Sequence, residues 1–169
     1  MNAARRWWRH LWLDGDDARR ILTPTGLSRL AQRITDSEAR HRGELRVCIE
    51  GGWPPSWLWR GLSSRERAID LFGRLRVWDT EHNNGVLIYL MLAERRIEIL
   101  ADRGLHQRVS PTTWDTLVAG LQHHLAQGRH EAGLNEAIDQ VGALLREHFP
   151  LCPSTGGNPD ELPNAVVLL

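Results

Sequence analysis

The chain has 169 residues, of which 41% are hydrophobic, and this length suits one core of ordinary size and is too short for two. Its 21 basic and 21 acidic residues cancel to a formal net charge of zero, which argues against a nucleic-acid-binding surface. The longest apolar run, residues 86–93, falls well short of the roughly 20 residues of a membrane span, so we expect a soluble protein.

Arginine and tryptophan dominate the first segment of the chain, residues 1–22. Within it, the stretch from Arg5 to Leu13 fits a short amphipathic helix, but its arginines interrupt the apolar run that a signal peptide needs. The two cysteines, Cys48 and Cys152, have neither C-x-x-C spacing nor a paired framework. We therefore expect an N-terminal extension without an export signal, and a cytoplasmic location.

Helical and strand patterns alternate from residue 23 onward. Thr23 and Pro24 are a typical cap and first helical residue, and apolar spacing extends this first helix to about residue 40. Residues 44–50 then alternate polar and apolar side chains, as a strand does. The inward face of the strand is predicted to consist of Leu45, Val47 and Ile49.

A second strand follows after a loop and a helix. Residues 51–59 are rich in glycine and proline and predict the loop. Ser63 and Glu66 have the spacing of a capping box, which opens the helix. The apolar run from Val86 to Leu92 suits a central strand covered on both faces, so a right-handed βαβ unit with parallel strands is predicted.

A third strand and two long helices complete the predicted domain. Residues 96–101 alternate charged and apolar side chains after a short turn, which predicts an antiparallel strand near a sheet edge. Residues 111–126 and 130–148 predict amphipathic helices that cover the sheet. Residues 151–169 predict a disordered tail. We therefore expect one α/β domain over residues 23–150.

The polar loop, residues 78–85, is the main functional candidate. It precedes a buried strand, and Asp102 follows the antiparallel strand, so both are expected at the same end of the sheet. Carboxylate and amide oxygens are the ligands of hard cations such as Ca²⁺ and Mg²⁺. The predicted cation ligands are Asp79, Glu81, Asn83, Asn84 and Asp102.

The polar loop has two other interpretations, an EF-hand and a plain turn. An EF-hand is excluded, because Leu90 stands at the twelfth position from Asp79, where a glutamate is needed. A plain turn is the simpler alternative, in which Asn83, Asn84 and Gly85 supply the backbone conformation and the acidic side chains are solvated.

Tryptophans beside arginines suit a protein interface or the headgroup zone of a membrane. The predicted partner-binding residues are Trp7, Trp8, Trp12, Trp53, Trp57 and Trp59. In the alternative interpretation, Trp7 and Trp12 fold back over the domain. Trp78 and Trp114 are expected in the core. Because residues 53–59 follow the first strand, they are expected at the end of the sheet opposite to Asp102.

Three stretches, SEARHRGELR, RERAIDLFGRLRVWDTEHNNGVLIYL and GALLREHFP, resemble the TPM-domain family over about residues 22–150. The resemblance implies a three-layer αβα sandwich around a mixed, mostly parallel sheet. It also implies calcium binding, known in some members, and acid phosphatase activity, described for plant members of the thylakoid lumen. Bacterial relatives tend to be encoded beside LemA-type membrane proteins, which implies a partner of that kind or another TPM protein.

Two functions follow as expectations. The first is a non-catalytic binding module that binds calcium or magnesium at the sheet edge and docks to a membrane-protein partner through its tryptophans. The second is a metal-dependent acid phosphatase, in which Asp79, Glu81 and Asp102 hold a metal-activated water and Arg103 steadies the phosphate. Residues 5–12 additionally predict peripheral membrane contact through the N-terminus.

Overall fold

A computed structural model of the chain describes residues 21–151 and 161–169. Almost all of the predicted N-terminal extension, and residues 152–160 of the tail, lie outside the described residues. The helices and strands in chain order are α1 (Pro24–Glu38), β1 (Glu44–Glu50), α2 (Pro55–Trp59), α3 (Ser64–Arg74), β2 (Gly85–Met91), β3 (Arg96–Ala101), α4 (Arg103–His106), α5 (Pro111–Ala126), α6 (His130–His148) and β4 (Val167–Leu168).

The sheet has the strand order β3-β2-β1-β4. Strand β1 pairs in parallel with both β2 and β4, whereas β3 runs antiparallel to β2. Every residue of β1 and β2 is buried, as expected for central strands with helices on both faces. The predicted α/β fold with a mixed, mostly parallel sheet is confirmed.

Each face of the sheet has its own apolar core. On one face, aliphatic residues of β1 and β2 pack with α1, α5 and α6, through residues such as Ile34, Leu117 and Ile138. On the other face, Cys48 and Leu87 belong to a second cluster formed with α3. The sandwich therefore has three layers. The polar residues of β1 are buried too: Glu50 accepts from Arg67 of α3, and Glu44 accepts from the Leu162 N–H of the C-terminal segment.

Local sequence signals position the helices as predicted. The hydroxyl of Thr23 accepts a hydrogen bond from the Gly26 N–H at 3.1 Å, which caps α1. Ser63 and Glu66 form the predicted capping box of α3. No helix among residues 21–151 and 161–169 is long and apolar enough to cross a membrane.

Three predictions about segments outside the regular pattern are wrong. Residues 161–169 are not disordered, since β4 pairs with β1 and Leu162 is buried; a two-residue strand is too short to leave a periodic pattern. Residues 51–59 are not all loop, because Pro55 starts the short helix α2. Trp78 is 53% exposed and not in the core, where the preceding Val77 packs. Trp114, in contrast, packs against the core.

Candidate functional site

The polar loop lies at the end of the sheet where β1 and β2 begin and β3 ends. Glu44 and Gly85 are register partners at the start of the two parallel strands. The Asp102 N–H donates to the Gly85 carbonyl at 2.8 Å, and the Gly104 N–H donates to the Asn83 carbonyl at 2.9 Å. The structure thus brings Asn83, Asn84 and Asp102 together, as the topology predicts.

The sequence of the loop explains its close approach to the neighbouring backbone. Asn83 has a φ of 52°, in the left-handed region that asparagine tolerates better than most residues. A Cβ at position 85 would collide with the Val77 carbonyl, so only glycine fits there. The Thr80 hydroxyl accepts a hydrogen bond from the Asn84 N–H at 3.1 Å. The turn interpretation therefore explains Asn83 and Gly85.

Turn formation does not explain two side-chain oxygens at this edge. The Asn84 amide donates to the Arg42 carbonyl at 2.8 Å, and this leaves its Oδ1 buried without a hydrogen-bond partner in the described chain. Asp102 accepts from the Arg103 N–H at 2.7 Å through Oδ1, while its Oδ2 is likewise buried and unpartnered among the described residues. Buried acceptors without a donor are costly, so both oxygens favour a bound cation or water.

Asp79 and Glu81 lie on the outer side of the loop. Asp79 is exposed, with its carboxylate 4.0 Å from Arg76. The Glu81 carboxylate is 66% exposed and lies 3.9 Å from Arg42 and 3.5 Å from His82. In the part of the chain that the structure describes, no three His, Cys, Asp or Glu side chains are close enough to hold a metal ion. The predicted carboxylate cluster is therefore not formed.

Side chains near the loop are tied to one another. Arg103, the predicted phosphate-binding residue, donates through Nε to the Asn83 Oδ1 at 3.0 Å, so that oxygen already has a partner. Arg42 donates to Nε2 of His82. His106 is exposed on α4.

Sequence reasoning missed three residues of this edge. Thr80 and Arg42 hold Asn84 from two sides, and Glu161 accepts the Glu81 N–H at 3.2 Å. The spacing of Thr80 four residues before Asn84 is a local signal that could have been used. Glu161 had no such signal, because it lies in the tail that was predicted to be disordered.

The Cys48 thiol has no role as a nucleophile. It is completely buried in β1, and burial raises the pKa of the thiol to about 12. A thiol that stays protonated and enclosed cannot attack a phosphate ester.

The tryptophans at the opposite end of the sheet divide into structural and exposed ones. Trp53 is only 3% exposed and donates from Nε1 to the Tyr89 hydroxyl at 3.0 Å, so its prediction as a surface anchor is wrong. Trp57 is half-buried with the Arg67 guanidinium 5.1 Å from its ring centre. Trp59 is 83% exposed. Trp7, Trp8 and Trp12 lie outside the described residues.

Comparison with known proteins found one matching family model, described as the TPM domain, over residues 16–144. A solved structure is also similar: the NMR structure of the BA42 protein from the psychrophilic bacterium Bizionia argentinensis. It is 31% identical, with a TM-score of 0.75, and the similarity covers 86% of this chain and 94% of that chain. The comparison with curated proteins found no match.

Proposed function

Because the chain belongs to the TPM-domain family, we propose that it is a non-catalytic binding module that holds a divalent cation, Ca²⁺ or Mg²⁺, at the polar-loop edge. The observation that carries this proposal is the pair of buried oxygens, Asn84 Oδ1 and Asp102 Oδ2, without partners among the described residues. In this proposal one cation is bound by both oxygens and compensates both.

The chemistry of the available donors fits Ca²⁺ better than Mg²⁺ or a transition metal. Ca²⁺ accepts carboxylate, amide and backbone carbonyl oxygens in a flexible arrangement, whereas Zn²⁺ prefers histidine and cysteine. Backbone carbonyls of the loop also lie next to the residues that follow Asp102, since those of His82 and Asn83 pack against Gly104. Only one inner carboxylate is present, so we expect weak binding, with a Kd of roughly 0.1–1 mM.

Asp79 and Glu81 contribute at longer range in this proposal. Both are exposed on the outer side of the loop, where negative charge raises the local concentration of cations without direct coordination. Asp102 and Asn84 are the inner ligands. Substitutions of the inner ligands should therefore weaken calcium binding much more than substitutions of Asp79 or Glu81.

The test is a calcium titration of the full chain followed by amide NMR. We expect saturable shifts at residues 79–84 and 102, and a loss of saturation in Asp102→Asn. This variant removes the charge but keeps an asparagine that still caps α4. Asp79→Asn is the matched control and should weaken binding only severalfold.

Three outcomes would count against the proposal: no shifts at millimolar calcium, shifts elsewhere in the chain, or equal losses in the two variants. The assay that separates it from the metal-dependent acid phosphatase uses a generic phosphate ester at acidic pH with calcium, magnesium or manganese. The binding module predicts no metal-dependent turnover. Metal-dependent turnover that is abolished by Asp102→Asn would instead support the metal-dependent acid phosphatase and overturn the proposal of a non-catalytic module.

Docking to a membrane-protein partner is the second part of the proposal. Among the described tryptophans, this docking depends on Trp59, which is 83% exposed and lies at the end of the sheet opposite to the cation site. In a pull-down with a candidate LemA-like partner, Trp59→Ala should reduce binding, and retention at wild-type strength would exclude this surface.

A further inference from the structure

Helices α1 and α6 are joined on their outer surface by arginine–carboxylate pairs. Arg29 donates to both oxygens of Glu131, at 2.7 and 2.8 Å. One turn further along α1, Arg33 donates in the same two-pronged way to Asp139. The residue numbers of the paired side chains increase together along both helices, so the two helices run in the same direction. The C-terminal ends of α1 and α6 therefore lie next to each other.

The next positions along this contact hold two arginines, Arg40 and Arg146. Arg40 extends from the end of α1, and Arg146 from the last turn of α6. Arg40 donates through Nε to the Asp36 backbone carbonyl at 3.0 Å. Arg146 has no hydrogen bond or ion pair among the described residues. Within residues 21–151 and 161–169, the remaining guanidinium N–H groups of Arg40 and Arg146 therefore have no carboxylate acceptor.

These arginines line a cleft with a volume of about 540 Å³. Its lining residues are Arg33, Asp36, Arg40, Asp139 and Arg146. Asp139 is bound by Arg33, and Asp36 accepts from the Gln32 amide. Positive charge is therefore left over at the Arg40–Arg146 side of the cleft.

A buried histidine, His41, lies between the end of α1 and Gly142 of α6. His41 is 1% exposed, and its Nε2 lies 3.1 Å from the Ser37 hydroxyl. Burial lowers the pKa of His41 to about 4, and the positive charges of Arg40 and Arg146 act in the same direction. Arg40, just after the end of α1, and Arg146, in the last turn of α6, thus line one cleft.

We propose that the cleft binds a carboxylate of an acidic segment in a partner protein, which takes the place between Arg40 and Arg146. The first two pairs already show that arginines of this contact select carboxylates with two-pronged geometry. A singly charged carboxylate also suits the site better than a phosphate dianion, because Asp36 and Asp139 repel the second charge. This surface is independent of the proposed cation site.

The experiment uses the full chain and an N-acetylated, C-amidated tetraglutamate peptide, with tetraglutamine as the uncharged control. We expect tetraglutamate to shift NMR signals of residues 36–41 and 142–148, including the arginine Nε–H signals. Binding should weaken when salt is raised from about 50 to 200 mM. Tetraglutamine should produce no such shifts.

Variants locate the binding. Arg146→Gln should weaken tetraglutamate binding at least about threefold, as expected for loss of one exposed ion pair, and the double variant with Arg40→Gln should abolish saturation. Arg29→Gln is the matched control, because its guanidinium pairs with Glu131 outside the cleft, and should bind normally. Arg40 and Arg146 are both exposed, so the variants should fold.

The proposal is overturned if tetraglutamine binds equally well, or if Arg146→Gln and Arg29→Gln weaken binding to the same extent. It is also overturned if inorganic phosphate saturates the cleft and tetraglutamate does not, which would identify a small-anion site instead of a docking surface.

Discussion

Replacing Arg67 by methionine should destabilise the fold more than any exposed arginine substitution. Arg67 donates to both oxygens of Glu50, at distances from 2.6 to 3.2 Å, and the Glu50 side chain is only 2% exposed. Methionine preserves most of the apolar volume but leaves this carboxylate buried without its cation. Breaking one partner of a buried ion pair costs about 3–5 kcal/mol.

The Tyr89 hydroxyl would remain as a donor to Glu50 at 2.6 Å and limits the loss, so we expect a value near the lower end, about 3 kcal/mol. Urea denaturation followed by circular dichroism measures it as a shift in midpoint with an unchanged slope. Arg74→Met is the control, because Arg74 pairs with Asp70 at 3.0 Å but is 67% exposed. Its cost should stay below about 1 kcal/mol.

A second substitution tests whether the unpaired Glu50 carboxylate causes the loss of stability in Arg67→Met. Glu50→Gln in the Arg67→Met background should restore part of the stability, because the amide removes the uncompensated charge. Equal losses in Arg67→Met and Arg74→Met, or no recovery in the double variant, would show that the unpaired Glu50 carboxylate is not the cause of the destabilisation.

Two further predictions concern His41 and the tryptophans. The pKa of His41 is lowered to about 4 in the fold from 6.5 in its ordinary state, so the unfolded chain binds the proton first as the pH falls. The contribution of the neutral His41 to the free energy of unfolding is full above pH 6.5 and decreases by roughly 3 kcal/mol toward pH 4. In His41→Gln, the midpoint of urea denaturation should therefore depend less on pH over this interval. A pH dependence equal to that of the wild type would contradict the prediction. Trp53→Ala should cost about 3–5 kcal/mol because the ring is buried, whereas Trp59→Ala should change stability by less than about 0.5 kcal/mol. Similar unfolding midpoints for the two tryptophan variants would show that the assignment of core and surface is wrong.

Periodic patterns predicted most of the fold. The βαβ unit, the antiparallel third strand and the two long helices are present as predicted, because the spacing of apolar residues indicates the type and position of such elements. The C-terminal strand β4 could not be predicted, since two residues carry no period and their pairing with Cys48 and Ile49 depends on an open edge of β1. The burial of Arg46 and Glu50 was not predicted, because the alternation of polar and apolar residues in β1 indicates one solvent-exposed face. In the folded chain that face of the sheet is covered by other segments.

The candidate site was predicted in its position and only partly in its composition. Topology alone places Asn84 and Asp102 at one edge, because an antiparallel strand must end where its neighbour begins. The sequence could not show that the Asp79 and Glu81 carboxylates point outward, as this depends on turn conformations such as the left-handed Asn83. Glu161 was missed because its contact with the loop joins residues far apart in the chain.

The most direct test of the cation site is a crystal of the full chain grown with calcium and, separately, with manganese for its anomalous signal. We expect one ion within about 2.3–2.6 Å of both Asn84 Oδ1 and Asp102 Oδ2 in the calcium crystal. An ion bound by Asp79 and Glu81 instead, or an ordered water between the two inner oxygens at tens of millimolar calcium, would contradict it.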